Sequence, residues 1–356
     1  MMSCPVCRQN NKPTCKFCIT CGASLTDVKL EILPSGTQLS DGEYIVDKVV
    51  GQGGFGITYF GNEPSLKRPV AIKEFFPEGC RRQGSTVISA GSWTVASYNQ
   101  AKQRFLQEGQ TLAQFNHPGI VRVFKYFEEN NTAYIVMEYL QGKNLADLLE
   151  ERGEPLKEWE AVSYVEKVSK ALEVIHQANF LHLDIKPNNV MVTTDRRVVL
   201  VDFGAAKEYL TGKTQLLSRT VTPGYAPLEQ YAERAKRAPY MDIYALAATM
   251  YHLLTGQMPI SAPDRYAGVE LPDVRQLNPK VRPFAAEAVM QGMAMEVKRR
   301  PQSVGEFLNL LHGREPSPSN PGARMEFYKP AKDPWGAFGE PDETSTDSSE
   351  KSSNWF

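Results

Sequence analysis

The chain has 356 residues, 42% hydrophobic and 23% charged, an ordinary globular composition with enough length for one large core or two modest ones. Lys and Arg total 40 against 41 Asp and Glu, a formal net charge of -1, so the overall balance offers no argument for a nucleic-acid or anionic-membrane surface. No N-terminal stretch has the charged start and apolar run of a signal peptide, and the longest nearly uncharged apolar run, Ile243 to Leu254, is too short to cross a bilayer; the expected compartment is the cytoplasm.

Five of the six cysteines fall within the first 21 residues. Cys4-Pro-Val-Cys7 and Cys18-Ile-Thr-Cys21 form two CxxC knuckles, each able to give two thiolates to one tetrahedral zinc ion. In a reducing compartment such a cluster points to a metal rather than to disulfides, although Cys15 is a rival ligand. Residues 1–25 are too few to hold a core, so the metal would supply the folding energy. Residues 26–42 read as a linker. Cys80 stands apart from the cluster and carries no expected role.

A mixed segment, residues 43–312, must hold the main core. It opens with strand-like runs: Tyr44 to Val49, Ile57 to Phe60 and Pro69 to Lys73, the first two joined by a glycine-rich turn. Apolar residues then recur at helical spacing from Tyr98 to Phe115 (Phe105, Leu112, Phe115), and two more strand-like runs follow, Ile120 to Phe127 and Ala133 to Met137. Beyond Gly142 the pattern turns helical, as in Trp159 to Ala178 and Asp242 to Leu254, with short strand-like pieces at Val190 to Val192 and Val198 to Val201. The expected fold class is α+β, a strand-rich small lobe followed by a helical large lobe. Residues 313–356, rich in Pro, Gly, Ser and acids, lack periodicity and cannot bury enough apolar area to offset their ordering entropy, so they are expected to be a disordered tail.

The candidate chemistry lies in the mixed segment. Gly51-Gln52-Gly53-Gly54-Phe55-Gly56 fits a G-x-G-x-x-G loop, whose backbone can approach phosphates closely because it carries few side chains. A strand rather than a helix follows it, which favours a hairpin lid over a nucleotide and argues against a dinucleotide fold. Three further motifs follow in order: Val70-Ala71-Ile72-Lys73, His182-Leu183-Asp184-Ile185-Lys186-Pro187-Asn188-Asn189, and Asp202-Phe203-Gly204 with Pro227-Leu228-Glu229 beyond it.

In this order the motifs resemble the eukaryotic-like (Hanks-type) serine/threonine protein kinases, and GQGGFGITY, VAIKEFFP and GYAPLEQY resemble the bacterial branch. The resemblance covers about Tyr44 to Leu311, with Gly84 to Ser97 standing as an insertion relative to the family, expected to be a surface loop. It implies a two-lobed protein kinase fold, with ATP and magnesium (or manganese) as cofactors and protein substrates as partners. Phosphoryl transfer needs cations, metal-binding oxygens and an acceptor for the hydroxyl proton, and the resemblance assigns each part. It implies that Lys73 holds the α- and β-phosphates, that Glu108 orients Lys73 through an ion pair, and that Asn189 and Asp202 bind the metal. Asp184 would accept the substrate proton and Lys186 would contact the γ-phosphate, which favours a serine or threonine acceptor.

The adenine would lie between Thr58 and Ala71 above and Met191 below, with Met137 as gatekeeper and Glu138 to Leu140 as hinge backbone. Glu229 would pair with Arg300, and Asp242 would hold the catalytic-loop backbone. Leu183 stands where many relatives carry an arginine that clamps a phosphate on the activation segment, so activity is expected not to need phosphorylation there. The head resembles a zinc ribbon and implies Zn2+ at Cys4, Cys7, Cys18 and Cys21. Head and tail are candidate docking elements for another protein; nucleic acid is not an expected partner.

Overall fold

The computed structural model describes residues 2–3, 10–12, 31–54, 56–91, 93–203, 207–208, 214–216, 221–232 and 234–314. The candidate zinc ligands Cys4, Cys7, Cys18 and Cys21, the loop residue Phe55, and the tail beyond residue 314 lie outside them. In the cysteine-rich head, the described backbone is an antiparallel pair, β1 (Met2–Ser3) with β2 (Asn10–Asn11).

The small lobe is a six-stranded antiparallel sheet. In chain order its strands are β3 (Gln38–Leu39), β4 (Tyr44–Gly53), β5 (Gly56–Glu63), β6 (Arg68–Phe75), β9 (Val123–Glu129) and β10 (Thr132–Glu138), with spatial order β3-β4-β5-β6-β10-β9. The period-two alternation of β5 buries Ile57 and Tyr59 on one face, as expected of a strand with one face on a core. β10 is buried through Thr132–Val136 because α1 (Val95–Leu112) covers its other face. Gly109 permits that approach: a Cβ there would meet Ile135 Cγ1 at 2.9 Å.

Two parts of this lobe differ from the sequence expectation. Residues 31–42, read as linker, are built into the lobe: Leu33 and Leu39 are buried in its core, and β3 extends the sheet. The insertion is a hairpin arm rather than a plain loop: β7 (Arg81–Gln83), just before it, pairs with β8 (Thr86–Ile88) inside it, the Arg82 side chain and Val87 are buried while the other described residues of 84–97 stay exposed or half-buried, and its last residues, 95–97, already belong to α1. Thr94 caps that helix reciprocally with Ser97, and this cap fixes the start.

The large lobe begins with β11 (Gly142–Asn144), α2 (Leu145–Arg152) and α3 (Glu158–Gln177), then β12 (Phe180–Leu181), β13 (Val190–Thr193) and β14 (Val198–Leu200); β11, β13 and β14 form a three-stranded sheet. β15 (Lys207–Glu208) pairs with β12, and β16 (Thr214–Leu216) pairs with β17 (Arg234–Lys236), which follows the short α4 (Leu228–Tyr231). Helix α5 (Tyr240–Thr255) is apolar around nearly its whole circumference, so it is buried as the centre of the lobe. The chain closes with α6 (Ala262–Tyr266), α7 (Val274–Leu277), α8 (Pro283–Gly292) and α9 (Val304–Leu311), the last packed on α8 and α3. The result is a β-rich lobe followed by a helical lobe, the α+β arrangement expected from the sequence.

Candidate active site

The candidate residues converge from both lobes. Lys73 on β6 places Nζ 2.9 Å from Glu108 Oε1 on α1 and 2.9 Å from Asp202 Oδ1, which follows β14 in the large lobe. Burial disfavours the ammonium charge, but the carboxylates of Asp202 and Glu108 outweigh it and raise the pKa of Lys73, so this cation stays charged at any physiological pH. Asp202 keeps about half of its side chain exposed (49%).

Asp184 lies in the turn between β12 and β13, and three side chains fix its carboxylate. Lys186 Nζ donates to Oδ1 (3.0 Å) and Oδ2 (2.8 Å), Thr222 Oγ1 donates to Oδ1 (2.7 Å), and Asn189 Nδ2 donates to Oδ2 (2.8 Å). Lys186 also donates to Thr222 Oγ1 at 2.9 Å. With both oxygens held, the carboxylate cannot rotate freely. Asn189 commits its amide N–H groups to Asp184, one to the side chain and one to the backbone carbonyl at 2.8 Å, which turns its own amide oxygen away as the remaining acceptor. That oxygen and the Asp202 carboxylate are hard oxygen donors of the kind magnesium selects.

Beneath this turn the fully buried Asp242 of α5 accepts from the backbone N–H groups of Leu183 (2.8 Å) and His182 (2.9 Å) and contacts His176 Nε2 at 2.8 Å. Burial alone would raise its pKa; the bond to His176 and the surrounding donors reverse this and lower it. Leu183, one of the residues so anchored, has φ 63°, and Asp202 has φ 61°, a backbone region that non-glycine residues enter at a cost. The expected pairing of Glu229 with Arg300 is present, with Arg300 Nη2 3.1 Å from Glu229 Oε2.

The glycine-rich turn closes the other side. A Cβ at Gly56 would meet the Glu74 carbonyl oxygen at 2.4 Å, so glycine is required there by the protein itself. Among the described residues nothing lies within 4 Å of an added Cβ at Gly51, Gly53 or Gly54, and none of the three has a positive φ. Neither packing nor backbone conformation demands glycine at these positions, which fits a turn kept bare for a ligand's phosphates. Gln52 is exposed at the end of β4.

Thr58 pairs in register with Lys73 on the neighbouring strand, and Ala71 pairs with Met137. Met191 lies on β13 in the large lobe, and Glu138 ends β10, where the chain passes through Leu140 into that lobe. Glu138 accepts from the backbone N–H of Arg122 (3.0 Å) and pairs with Arg197 (3.1 Å), which fixes the crossover. Thr222, which by resemblance belongs to the substrate-proximal loop, bonds both Asp184 and Lys186. The Glu78 backbone N–H, which donates to the Gly54 carbonyl at 3.0 Å, leaves no trace in side-chain identity and so could not be foreseen.

Residues 44–276 match the family model described as protein kinase domain. Among curated relatives, the chain is 28% identical over 268 residues to the serine/threonine-protein kinase PrkC of Bacillus subtilis, covering 72% of this chain and 38% of that protein. It is 29% identical to serine/threonine-protein kinase B of Synechocystis (87% of this chain, 50% of that protein) and 30% identical to serine/threonine-protein kinase PknE of Mycobacterium tuberculosis (78% and 46%). The chain thus spans half or less of these relatives' length. A solved structure, "PpkA-294 apo form", superposes with a TM-score of 0.68 at 28% identity over 79% of this chain and 99% of that one.

Proposed function

This chain belongs to the protein kinase domain family, and from that premise we propose that it is a serine/threonine protein kinase that transfers the γ-phosphate of ATP to hydroxyls of protein substrates. The observation that carries the reading is the convergence of Lys73, Asp202, Asn189 and Asp184 on one cleft, beside a glycine turn that the described residues leave bare at Gly51, Gly53 and Gly54. Relatives named as serine/threonine-protein kinases support the acceptor class.

In this reading Lys73, kept charged and aimed by Glu108, meets the α- and β-phosphates. Asn189 and Asp202 would hold magnesium or manganese, which when bound would offset charge on the phosphates. Lys186, Thr222 and Asn189 hold the Asp184 carboxylate in one orientation, from which it accepts the proton of the attacking hydroxyl; Lys186 also faces the transferred phosphate. Gly51, Gln52, Gly53, Gly54, Phe55 and Gly56 cover the triphosphate with backbone. Thr58 and Ala71 from above and Met191 from below enclose the adenine, with Met137 behind it and the backbone of Glu138 to Leu140 alongside.

The CxxC spacing supports a zinc site at Cys4, Cys7, Cys18 and Cys21, forming a head that docks another protein, as the tail also could. A cytoplasmic site of action is part of the same proposal; among the described residues no helix is long and apolar enough to cross a membrane. One stoichiometric zinc in the purified chain, lost on Cys4→Ser, is expected; its absence removes the zinc assignment and leaves the kinase reading intact. The kinase reading is tested by incubating the chain with labelled MgATP and a generic protein acceptor, then hydrolysing the acceptor. Label is expected in phosphoserine or phosphothreonine, whereas label in phosphotyrosine alone, or none, contradicts the reading.

A further inference from the structure

The segment between β6 and α1 touches both parts of the cleft that must be in register with a bound triphosphate. It is first fixed to the sheet. Arg82 Nη2 donates to the buried Glu74 at 2.7 Å, Arg82 Nε to the Glu31 carbonyl at 2.9 Å, and Nη1 to the Ser85 carbonyl at 2.9 Å. On β8, the Val87 N–H donates to the Asn130 carbonyl and the Val87 carbonyl accepts from Asn131 Nδ2, both at 2.8 Å. The hairpin is therefore clamped to the floor of the sheet and to the turn between β9 and β10.

From this clamp Glu78 reaches in two directions with its backbone. Its N–H donates to the Gly54 carbonyl at 3.0 Å, and its carbonyl accepts the indole N–H of Trp93 at 3.0 Å. Trp93 sits just before the Thr94 cap of α1, and its ring meets Tyr98 edge-on at 6.5 Å. Tyr98, buried in the first turns of α1, donates its hydroxyl to the Asn131 carbonyl at 3.0 Å and packs on Phe75 at 5.4 Å. One residue thus joins the glycine turn to the start of the helix that carries Glu108.

We propose that Trp93 is a positioning residue for the nucleotide: through the Glu78 backbone its indole N–H holds the glycine turn at Gly54 in register with α1, and so with the Lys73–Glu108 pair. The assignment rests on the kinase reading above. A turn of bare glycines is conformationally loose, and a fixed backbone contact reduces what nucleotide binding must order. In this assignment Trp93 has no direct part in the chemistry; it acts through Glu78.

The test removes the N–H and keeps the ring. Trp93→Phe, and separately the isosteric benzothienylalanine placed at position 93 alone, are compared with the wild-type chain in steady-state transfer. The KM for ATP is expected to rise about three- to tenfold, the range of one lost hydrogen bond, with the KM for the protein acceptor unchanged. Hydrogen exchange at the Glu78 amide is expected to speed up while the amides of α5 exchange as before. A merely structural role would instead lower thermal stability and speed exchange throughout. Should the Phe variant fail to fold, the isostere, which keeps the bulk, decides. Active wild-type chain with unchanged ATP KM and unchanged Glu78 exchange in the variants overturns the assignment; a wild-type chain that transfers nothing overturns the kinase reading beneath it.

Discussion

The ammonium of Lys73 lies 2.9 Å from the carboxylate of Glu108, a pair that joins β6 to α1 across the floor of the cleft. Lys73 is also 2.9 Å from Asp202 of the large lobe, so its position depends on a balance between one carboxylate in its own lobe and one in the other. Neutralising Glu108 leaves Asp202 free to draw the lysine out of register with the phosphates. Glu108→Gln is expected to lower kcat/KM by about 10- to 100-fold, the range for a hydrogen bond to a charged group, while Tm moves by only a few degrees. Steady-state transfer assays beside thermal melts check both halves.

The Glu74–Arg82 pair is deeper, with side chains 0% and 1% exposed. Glu74 Oε2 also accepts from Tyr59 and Oε1 from Tyr134, so its lone pairs are well used. Burial raises the pKa of both tyrosines, which keeps them protonated as donors. Removing one partner strands the other charge without water. Arg82→Met is expected to cost about 3–5 kcal/mol of stability in urea unfolding, and the double variant with Glu74→Gln less than Arg82→Met alone. An additive double variant would mean that the pair is not coupled.

By its resemblance to the kinases, Leu183 stands where many relatives carry an arginine that reaches a phosphate on the activation segment. Its side chain is instead buried with Leu181 and Met241, and its N–H is held by Asp242. Phosphatase-treated enzyme is accordingly expected to keep most of its transfer activity. Loss of activity on that treatment, restored by a threonine-to-glutamate change at Thr211, Thr214 or Thr220, would show that the segment needs its charge after all.

Acid should destabilise the fold before the carboxylates titrate. Burial lowers the pKa of His182 below the usual histidine value, and the same holds for His252 and His117. As pH falls through about 6.5, the unfolded chain takes up protons that the folded chain refuses. The unfolded state then binds more protons, and stability rises with pH across that window and levels off above it. Asp242 adds the same sign lower down: its folded pKa is depressed, so its contribution is present above the unfolded value and lost as pH falls through the folded one. Urea midpoints are expected to fall between pH 7.5 and 5.5, and a flat profile there would contradict the burial of these rings.

The strands, the central helix and the chemistry-bearing motifs were legible because each has a physical signature. Alternation marks β5, an apolar circumference marks α5, and in the proposed reading phosphate chemistry restricts residue types at Lys73, Asp184, Asn189 and Asp202. The hairpin of β7 and β8 was not legible. Its first strand reads Arg-Arg-Gln, a polar run typical of surface, and only the buried partner Glu74 explains why the middle arginine points inward. Leu33 and Leu39 were missed because two apolar residues at no regular period give no pattern to read. The positive φ of Leu183 and Asp202 was equally hidden, since neither is a glycine.

The most direct measurement is transfer of labelled γ-phosphate to a protein acceptor by the wild-type chain and by Asp184→Asn, at saturating MgATP. Asparagine preserves the volume and the bond to Thr222 but cannot take up the hydroxyl proton. A fall of about 100-fold or more is expected in the variant, with nucleotide binding retained. Equal transfer by the two proteins would show that the proton acceptor, and the site built around it, has been misplaced.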